Sequence, residues 1–322
     1  MMYMKRALEL AALGREWVSP NPMVGCVIVH NDKIIGEGFH RKYGQPHAEV
    51  NAVDSVEDKS LLSESTVYVT LEPCAHFGKT PPCAELLIKH KVKKVVVCNL
   101  DPFPQVAGKG ITMLKNAGID VEVGLLQEEG EELNKRFFKR HRTGLPYVIL
   151  KWAESKDGFI SAEGGKPIKI SHPITDIQVH RWRAEEDAIL IGKNTADLDN
   201  PQLNVRYWTE DKQPKPIILG QPTIQDLRAK GAKIFPNGKN LTEILRQLAQ
   251  NGIQSILVEG GTKIHTSFIE EGLFDEIRVI QGDIEILNGV KAPQLPDGLI
   301  LTDHHTYRND HIKVYRSIPT LS

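Results

Sequence analysis

The sequence predicts an α/β protein with two successive domains, each a sheet covered by helices. The chain has 322 residues, and a single hydrophobic core rarely grows beyond about 250 to 300 residues. Short β-rich apolar runs alternate with helical patterns through both halves of the chain, which is typical of α/β folds. A basic link punctuated by glycine and proline, residues 141–146, separates the two halves. We therefore place the domains at residues 1–144 and 145–322.

The first half begins with an amphipathic helix. Residues 1–13 carry apolar side chains at helical spacing, interrupted by Lys5, Arg6 and Glu9, and no small-residue cleavage site follows. Strands are predicted at 24–29, 66–71, 92–98 and 121–123, and helices at 48–56, 84–90, 111–116 and 128–140. Cys26 and Cys98 fall inside two of these strands, where we expect them to pack as small hydrophobic side chains.

The second half continues the alternation of strands and helices. Strands are predicted at 147–152, 188–191, 216–219, 255–258, 276–280 and 311–315, and helices at 175–184, 241–250 and 263–271. The sequence contains no internal repeat and no low-complexity tract. This pattern predicts a second α/β sheet.

The composition narrows the classes of function. Hydrophobic residues make up 40% of the chain, charged residues 25%, and the formal net charge is −1. Nucleic-acid binding needs a basic groove and stacking platforms, and a neutral chain with only 6% aromatic residues argues against both. No apolar run approaches the roughly 18 to 20 residues that span a bilayer. We therefore expect a cytoplasmic protein that acts on a small molecule, with neither nucleic acid nor membrane as a partner.

One cluster of residues has the composition of a zinc site. His47 lies two residues before Glu49, Pro73 precedes Cys74, and eight residues separate Cys74 from Cys83. An imidazole and two thiolates suit zinc, and three protein ligands leave a fourth position open to water. Glu49 is then the proton carrier of a hydrolytic deamination. We expect His47 and Glu49 at the start of one helix and Cys83 near the start of the next, where a helix amino end favours a thiolate.

Two other hypotheses for this cluster belong to different functional classes. A nonenzymatic zinc-stabilised binding module would unfold on chelation and would tolerate Glu49→Gln. A deaminase that edits nucleic acid would share the zinc ligands but would need a basic groove and aromatic platforms for a flipped base. The neutral charge and the few aromatic residues disfavour the second hypothesis.

The deaminase half of the bifunctional riboflavin-biosynthesis proteins resembles this chain around the zinc cluster. The similar strings are Val69-Thr70-Leu71-Glu72-Pro73-Cys74, Thr80-Pro81-Pro82-Cys83 and, upstream, Asn21-Pro22-x-Val24-Gly25. The resemblance covers about residues 21–146 and implies a cytidine-deaminase-like fold. It also implies a substrate pocket, with Lys79 or a neighbour meeting a phosphate. The implied pocket residues are Asn21, His76, Lys79, Thr80 and Asp101.

The second half contains two glycine-bearing turns that follow strands, at residues 191–195 and 258–262. Backbone N–H groups at such a turn, where a helix begins, attract anions. The reductase half of the same family carries segments similar to this half of the chain. They are 151–158, 183–184, 188–195, 199–206 and 258–261. This resemblance implies a dihydrofolate-reductase-like fold that uses NADPH.

Carried over position by position, the resemblance implies two sets of ligand contacts in the second domain. The cofactor contacts are Ala153, Lys169, Thr195, Asp199, Gly261, Thr262 and Ser267. The substrate contacts are Pro167, Arg183, Leu203, Arg206 and Glu259. Arg183 and Arg206 are candidates for binding phosphate, because a guanidinium makes bidentate contacts with oxyanions.

The resemblance as a whole implies a bifunctional enzyme with one zinc ion per chain, NADPH, and a homo-oligomeric state, dimer or tetramer. The first domain would hydrolytically deaminate 2,5-diamino-6-(5-phosphoribosylamino)pyrimidin-4-one, and the second would reduce the ribosyl group to ribityl. Some positions in the second half depart from the family pattern, among them Lys156, Lys169, Asn194 and Asn200. A monofunctional deaminase with a degenerate reductase domain is the alternative, disfavoured because Arg183, Arg206 and Glu259 are present.

Overall fold

The computed structural model describes residues 1–76, 81–103, 107–208, 212–223, 231–236 and 240–317. The chain divides into two compact units, Met1–Thr143 and Gly144–Ser322, one residue from the division expected from the sequence. Among the described residues, no helix is both long enough and apolar enough to cross a membrane.

The first unit is built on a mixed sheet of five strands among its described residues. The strands are β1 (Gly25–His30), β2 (Lys33–Phe39), β3 (Thr66–Leu71), β4 (Lys94–Asn99) and β5 (Asp120–Val123), in the order β2-β1-β3-β4-β5. Strand β1 runs antiparallel to β2 and β3, whereas β3, β4 and β5 are parallel. The helices are α1 (Met2–Ala12), α2 (Ala48–Ser55), α3 (Cys83–Lys89), α4 (Lys109–Asn116), α5 (Gln127–Leu133) and α6 (Lys135–Thr143), with a 3₁₀ helix at Lys59–Glu64.

Helices cover both faces of this sheet. Successive residues of a strand point to opposite faces, so Cys26 and Ile28 pack with α2, α3 and α4 while Val27 and Val29 pack with α1. Cys26 and Cys98 are both fully buried in these clusters, which confirms that they pack as hydrophobic side chains. The predicted strands and the first four helices are present, with bounds that differ by a few residues.

Two features of the first unit differ from the sequence predictions. The prediction of a single helix at 128–140 is wrong, because the helix is interrupted at Asn134, between α5 and α6. The Asn134 side chain accepts a hydrogen bond from Met23 N and donates one to Met23 O, each at 2.8 Å. Strand β2 was not predicted. Its Gly38 lets α2 approach closely, since a Cβ there would lie 2.3 Å from Ala52 N.

The second unit contains an eight-stranded sheet and a small two-stranded one among its described residues. The strands are β6 (Tyr147–Glu154), β7 (Phe159–Ala162), β8 (Ala188–Gly192), β9 (Lys215–Leu219), β10 (Lys233–Phe235), β11 (Ser255–Val258), β12 (Glu276–Gln281), β13 (Gly289–Lys291), β14 (Leu299–Tyr307) and β15 (Asp310–Ser317). The large sheet has the order β10-β9-β8-β11-β6-β12-β15-β14, and β13 pairs with β7. The helices are α7 (Pro173–Glu185), α8 (Lys193–Asp199), α9 (Leu241–Gln250) and α10 (Thr262–Glu270), with a 3₁₀ turn at Glu163–Gly165.

The large sheet is parallel from β10 to β12, and its last two strands are antiparallel. Strands β6, β8 and β11 are neighbours at its centre and end at the same edge. In open α/β sheets, ligands bind at the carboxyl ends of such strands. The strands and helices predicted for this half are present, whereas β7, β10, β13, β14 and α8 were not predicted. Strand β14 is exposed along most of its length, so it lacks the apolar alternation by which strands are recognised.

Candidate active sites

The first unit brings His47, Cys74 and Cys83 together. The His47 Nδ1 atom lies 3.3 Å from Cys83 Sγ and 3.6 Å from Cys74 Sγ, and the ligand atoms of all three residues lie within 4.8 Å of one another. A tetrahedral zinc ion, with Zn–N of about 2.0 Å and Zn–S of about 2.3 Å, places such atoms roughly 3.5 to 3.8 Å apart. The donor set and its spacing therefore fit zinc.

Each of these side chains stands at the end of a secondary-structure element. His47 immediately precedes α2, Cys83 is the first residue of α3, and Cys74 follows β3 by three residues. Cys83 N donates a hydrogen bond to Cys74 Sγ at 3.3 Å. Hydrogen bonds from the Cys83 thiol and from His47 lower the pKa of Cys74 to about 4. Cys74 is thus held as a thiolate, the form that binds a metal.

Glu49 lies in the first turn of α2, beside the ligand cluster. Its side chain is buried, with 3% of the residue exposed. Burial, together with the negative charge of the neighbouring Cys74 thiolate, raises the pKa of Glu49 to about 7. A carboxyl group in such surroundings exchanges protons near neutral pH, as a general acid and base must.

A cavity of about 460 Å³ opens onto this cluster. Of the predicted pocket residues, Asn21, His76 and Asp101 line it together with His47, Glu49 and Cys74. Lys79 and Thr80 lie outside the described residues. The cavity also has lining residues that the sequence did not single out, namely His40, Tyr43, Glu72, Phe103, Phe137 and His141.

Two of these unpredicted residues organise the pocket wall. His40 Nε2 lies 3.2 Å from Asn21 Nδ2, and His40 Nδ1 lies 3.1 Å from Pro46 O. This arrangement makes Nδ1 the protonated nitrogen and Nε2 the acceptor for Asn21. The buried Glu72 carboxylate accepts hydrogen bonds from the backbone N–H groups of Asp101, Gly108 and Gly110, at 3.2, 2.9 and 2.9 Å. The role of Glu72 was not predicted, because in the sequence it is only the polar residue that follows the apolar strand β3. No sequence motif relates it to residues 101–110.

The second unit contains a buried ion pair at the carboxyl end of β11. Arg183 Nε and Nη2 donate to the two oxygens of Glu259, at 2.9 and 2.7 Å. Lys151 Nζ lies 3.9 Å from the same carboxylate. Burial alone would raise the pKa of Glu259, but Arg183 and Lys151 hold it at about 2. Glu259 is therefore ionised at neutral pH. The sequence predictions did not include Lys151 beside it.

Several of the predicted cofactor residues meet at the start of α10. Gly261 N donates to Thr195 Oγ1 at 3.2 Å, so the turns after β8 and β11 touch. Gly260 has a φ of +133°, and a Cβ there would lie 2.9 Å from Thr195 Oγ1. A Cβ on Gly261 would have no atom within 4 Å. This open space beside backbone N–H groups fits a phosphate of a dinucleotide such as NADPH.

The other predicted cofactor residues make different contacts. Thr262 Oγ1 donates to Lys291 O, and Ser267 Oγ donates to Lys263 O within its own helix. Lys169 pairs with Asp176. Ala153 is half-buried on β6, and Asp199 is exposed at the end of α8.

The predicted substrate residues of the second unit differ in how open they are. Pro167 and Arg206 are exposed. Leu203 is only 4% exposed and packs with Ile189 and Ile191, which leaves its backbone as the part available to a ligand. Arg183 makes a third bond, from Nη1 to Asn204 O at 3.2 Å, so each of its side-chain nitrogens already has a protein partner.

Comparison with known proteins covers both units. Residues 1–99 match the cytidine and deoxycytidylate deaminase zinc-binding region, and residues 146–302 match the RibD C-terminal domain. The riboflavin biosynthesis protein RibD of Bacillus amyloliquefaciens is 42% identical over 92% of this chain and 87% of its own length. The fold class predicted from the sequence, a cytidine-deaminase-like domain followed by a dihydrofolate-reductase-like domain, is confirmed.

Solved structures are similar over nearly the whole chain. RibD of Acinetobacter baumannii (form 1) has a TM-score of 0.90 at 37% identity and covers 98% of both chains. A diaminohydroxyphosphoribosylaminopyrimidine deaminase/5-amino-6-(5-phosphoribosylamino)uracil reductase of Thermotoga maritima has a TM-score of 0.88 at 31% identity, again over 98% of both chains. Because the likeness spans both units, the chain belongs to the RibD family of riboflavin-biosynthesis proteins.

Proposed function

We infer that this chain is a bifunctional deaminase and reductase of riboflavin biosynthesis. The substrate pair is the one named for the Thermotoga maritima relative: a diaminopyrimidinone ribosylamine phosphate is deaminated, and the resulting ribosylaminouracil phosphate is reduced with NADPH. The observation that carries the inference is the convergence of His47, Cys74 and Cys83 beside Glu49 at the cavity. We assign deamination to residues 1–144 and reduction to residues 145–322.

In the first unit we assign the proton transfers to Glu49. His47, Cys74 and Cys83 would hold a zinc ion, which would supply Lewis-acid activation of water. The Glu49 carboxylate takes a proton from the attacking water and delivers it to the amine that leaves as ammonia. Glu49 is buried and also lines the cavity, which places its carboxyl group beside a substrate bound there.

The remaining pocket residues orient the substrate. The amide nitrogen of Asn21 is bonded to His40, so we assign its oxygen to accept a hydrogen bond from the pyrimidine. Asp101 is fixed by Glu72 through its backbone and offers a carboxylate to the amino groups of the same ring. Lys79 and Thr80 are assigned to the phosphate by resemblance.

In the second unit the turn of Gly260 and Gly261 with Thr195 would hold NADPH, which would supply the hydride. The exposed guanidinium of Arg206 is the group that we assign to the substrate phosphate. Arg183 is committed to Glu259, so we assign it to holding that carboxylate at the substrate rather than to the phosphate. The alternative of a degenerate reductase is not favoured, because relatives match both halves of the chain.

Glu49→Gln tests the first activity. Loss of the proton carrier is expected to lower the rate of ammonia release about 10²- to 10⁴-fold, whereas the zinc content stays the same. NADPH oxidation with the deaminated compound supplied is the internal control, and it should be unaffected. Ammonia release that survives Glu49→Gln would contradict the assignment, and chelation that unfolds the chain while Glu49→Gln is silent would favour the zinc-stabilised binding module.

We also propose that the protein works in the cytoplasm and as a homo-oligomer, a dimer or a tetramer. Both proposals rest on the family resemblance. Sedimentation of the purified chain at several concentrations tests the second, and a monomer at all of them would contradict it.

A further inference from the structure

The segment that carries Arg206 has no regular secondary structure, yet it is firmly attached to the second unit. Residues 200–206 contain no helix or strand. Asn200 and Leu203 both adopt positive φ angles, +38° and +49°, which are uncommon for residues other than glycine. Such a backbone keeps one conformation only when the surroundings determine it. The buried Leu203 side chain anchors the middle of the segment.

Side chains make the hydrogen bonds to the backbone of residues 204–206, at the carboxyl end of the segment, where a neighbouring strand would otherwise make them. Gln213 Oε1 accepts from Val205 N at 2.8 Å, and Gln213 Nε2 donates to Val205 O at 3.3 Å. His180 Nδ1 accepts from Arg206 N at 2.9 Å. Together with the bond from Arg183 to Asn204 O, these contacts hold both polar groups of the two peptide units that lead to Arg206, 204–205 and 205–206.

His180 is suited to this acceptor role. It lies on α7, one turn before Arg183, and only 3% of the residue is exposed. Burial, together with the positive charges of Arg183 and Arg206, lowers the pKa of His180 to about 4. The imidazole is therefore neutral at physiological pH, with its proton on Nε2 and the lone pair of Nδ1 free for Arg206 N.

We propose that His180 and Gln213 are positioning residues of the reductase, which hold the Arg206 backbone so that its guanidinium meets the phosphate of the substrate. The proposal rests on the proposed function, in which Arg206 binds that phosphate. The guanidinium also bonds Asn204 Oδ1 and lies over the Tyr207 ring at 5.5 Å, so its direction depends on the conformation of the same segment. A phosphate monoester is the ligand class concerned.

Two substitutions at position 180 separate positioning from packing. Asn places its carboxamide oxygen where Nδ1 of His180 lies, whereas Gln places its polar group near the position of Nε2 and leaves Arg206 N without an acceptor. We expect His180→Gln to raise the KM for the deaminated substrate roughly tenfold, the upper range for one lost hydrogen bond. His180→Asn should stay within about twofold of the native value. In both variants the KM for NADPH and the rate of ammonia release should be unchanged.

Arg206→Ala distinguishes failure of this proposal from failure of the proposed function. If Arg206→Ala leaves the KM for the deaminated substrate unchanged, Arg206 does not bind the phosphate, and both assignments are overturned. If Arg206→Ala raises that KM but His180→Gln does not, only the positioning role is overturned. Equal effects of His180→Asn and His180→Gln would also overturn it. Adding His180→Gln to Arg206→Ala should have little further effect, since the residue acts through Arg206.

Gln213→Leu provides a second route to the same conclusion if His180→Gln does not fold. It removes both bonds to Val205 without touching α7. The proposal expects the same pattern, a higher KM for the phosphorylated substrate with an unchanged KM for NADPH. An unchanged KM for the phosphorylated substrate in Gln213→Leu overturns the role of Gln213.

Discussion

The two units neutralise a buried carboxylate in different ways. In the first unit Glu72 is surrounded by backbone N–H groups of residues 101–110, and the nearby thiolate belongs to the zinc cluster. In the second unit Glu259 is surrounded by the side-chain charges of Arg183 and Lys151. The first site therefore depends on backbone geometry and on a metal, whereas the second depends on ion pairs between side chains. Each of the following predictions acts on one side of that difference.

The largest effect is expected from Glu259→Gln. This change leaves the buried Arg183 guanidinium without its carboxylate, and breaking a buried pair typically costs about 3 to 5 kcal/mol. The free energy of unfolding of the second unit should fall by that amount. Urea unfolding followed by tryptophan fluorescence measures it, since three of the four tryptophans, Trp152, Trp182 and Trp208, lie in the second unit. Ammonia release reports on the first unit.

Glu131→Gln is a matched control for this prediction. Glu131 also accepts two hydrogen bonds from one arginine, Arg142, at 3.0 and 2.9 Å. Those side chains are 31% and 51% exposed, and exposed pairs contribute about 0 to 1 kcal/mol. If the two substitutions cost the same, burial of the Glu259 pair is not what makes the second site dependent on charge.

The same difference decides how much of each site could be predicted from the sequence. His47, Cys74 and Cys83 have side chains specialised for metal binding, and they lie within one stretch of the chain, so their spacing was informative. The roles of Glu72 and His180 depend on backbone N–H groups from distant segments, which no residue type identifies. The helix break at Asn134 has a similar cause. Its partner Met23 lies 111 residues away, and the local helical pattern does not record that contact.

Acidification should weaken the second unit in two steps. The pKa of His180 in the folded chain is about 4, below the value of about 6.5 for an exposed histidine. The unfolded chain therefore takes up this proton first, and stability is lost as the pH falls from about 6.5 to 4. The pKa of Glu259 is about 2, below about 4.3 for an exposed glutamate. The contribution of Glu259 to stability is present above about pH 4.3 and is lost as the pH falls from there toward 2.

The first step can be measured by comparing the native chain with His180→Asn. The pKa shift of His180 corresponds to at most about 3 kcal/mol of stability. The urea concentration at the unfolding midpoint of the second unit should therefore decrease as the pH is lowered from about 6.5 to 4. His180→Asn removes the titrating group and should flatten this part of the curve. An identical pH dependence in both chains would mean that His180 is not held neutral by its surroundings.

The smallest effect is expected from a methyl group placed at the backbone contact of the first site. A Cβ on Gly110 would lie 1.9 Å from Pro73 O, next to Cys74, so Gly110→Ala must push the start of α4 away from the metal ligands. Such overpacking typically costs about 1 to 3 kcal/mol, and we expect weaker zinc retention on dialysis and slower ammonia release. Gly261→Ala in the second unit is the control, since its Cβ would meet no atom within 4 Å and should change the free energy of unfolding by no more than about 0.5 kcal/mol. Zinc retained in full by Gly110→Ala would show that the first site does not depend on this close backbone approach.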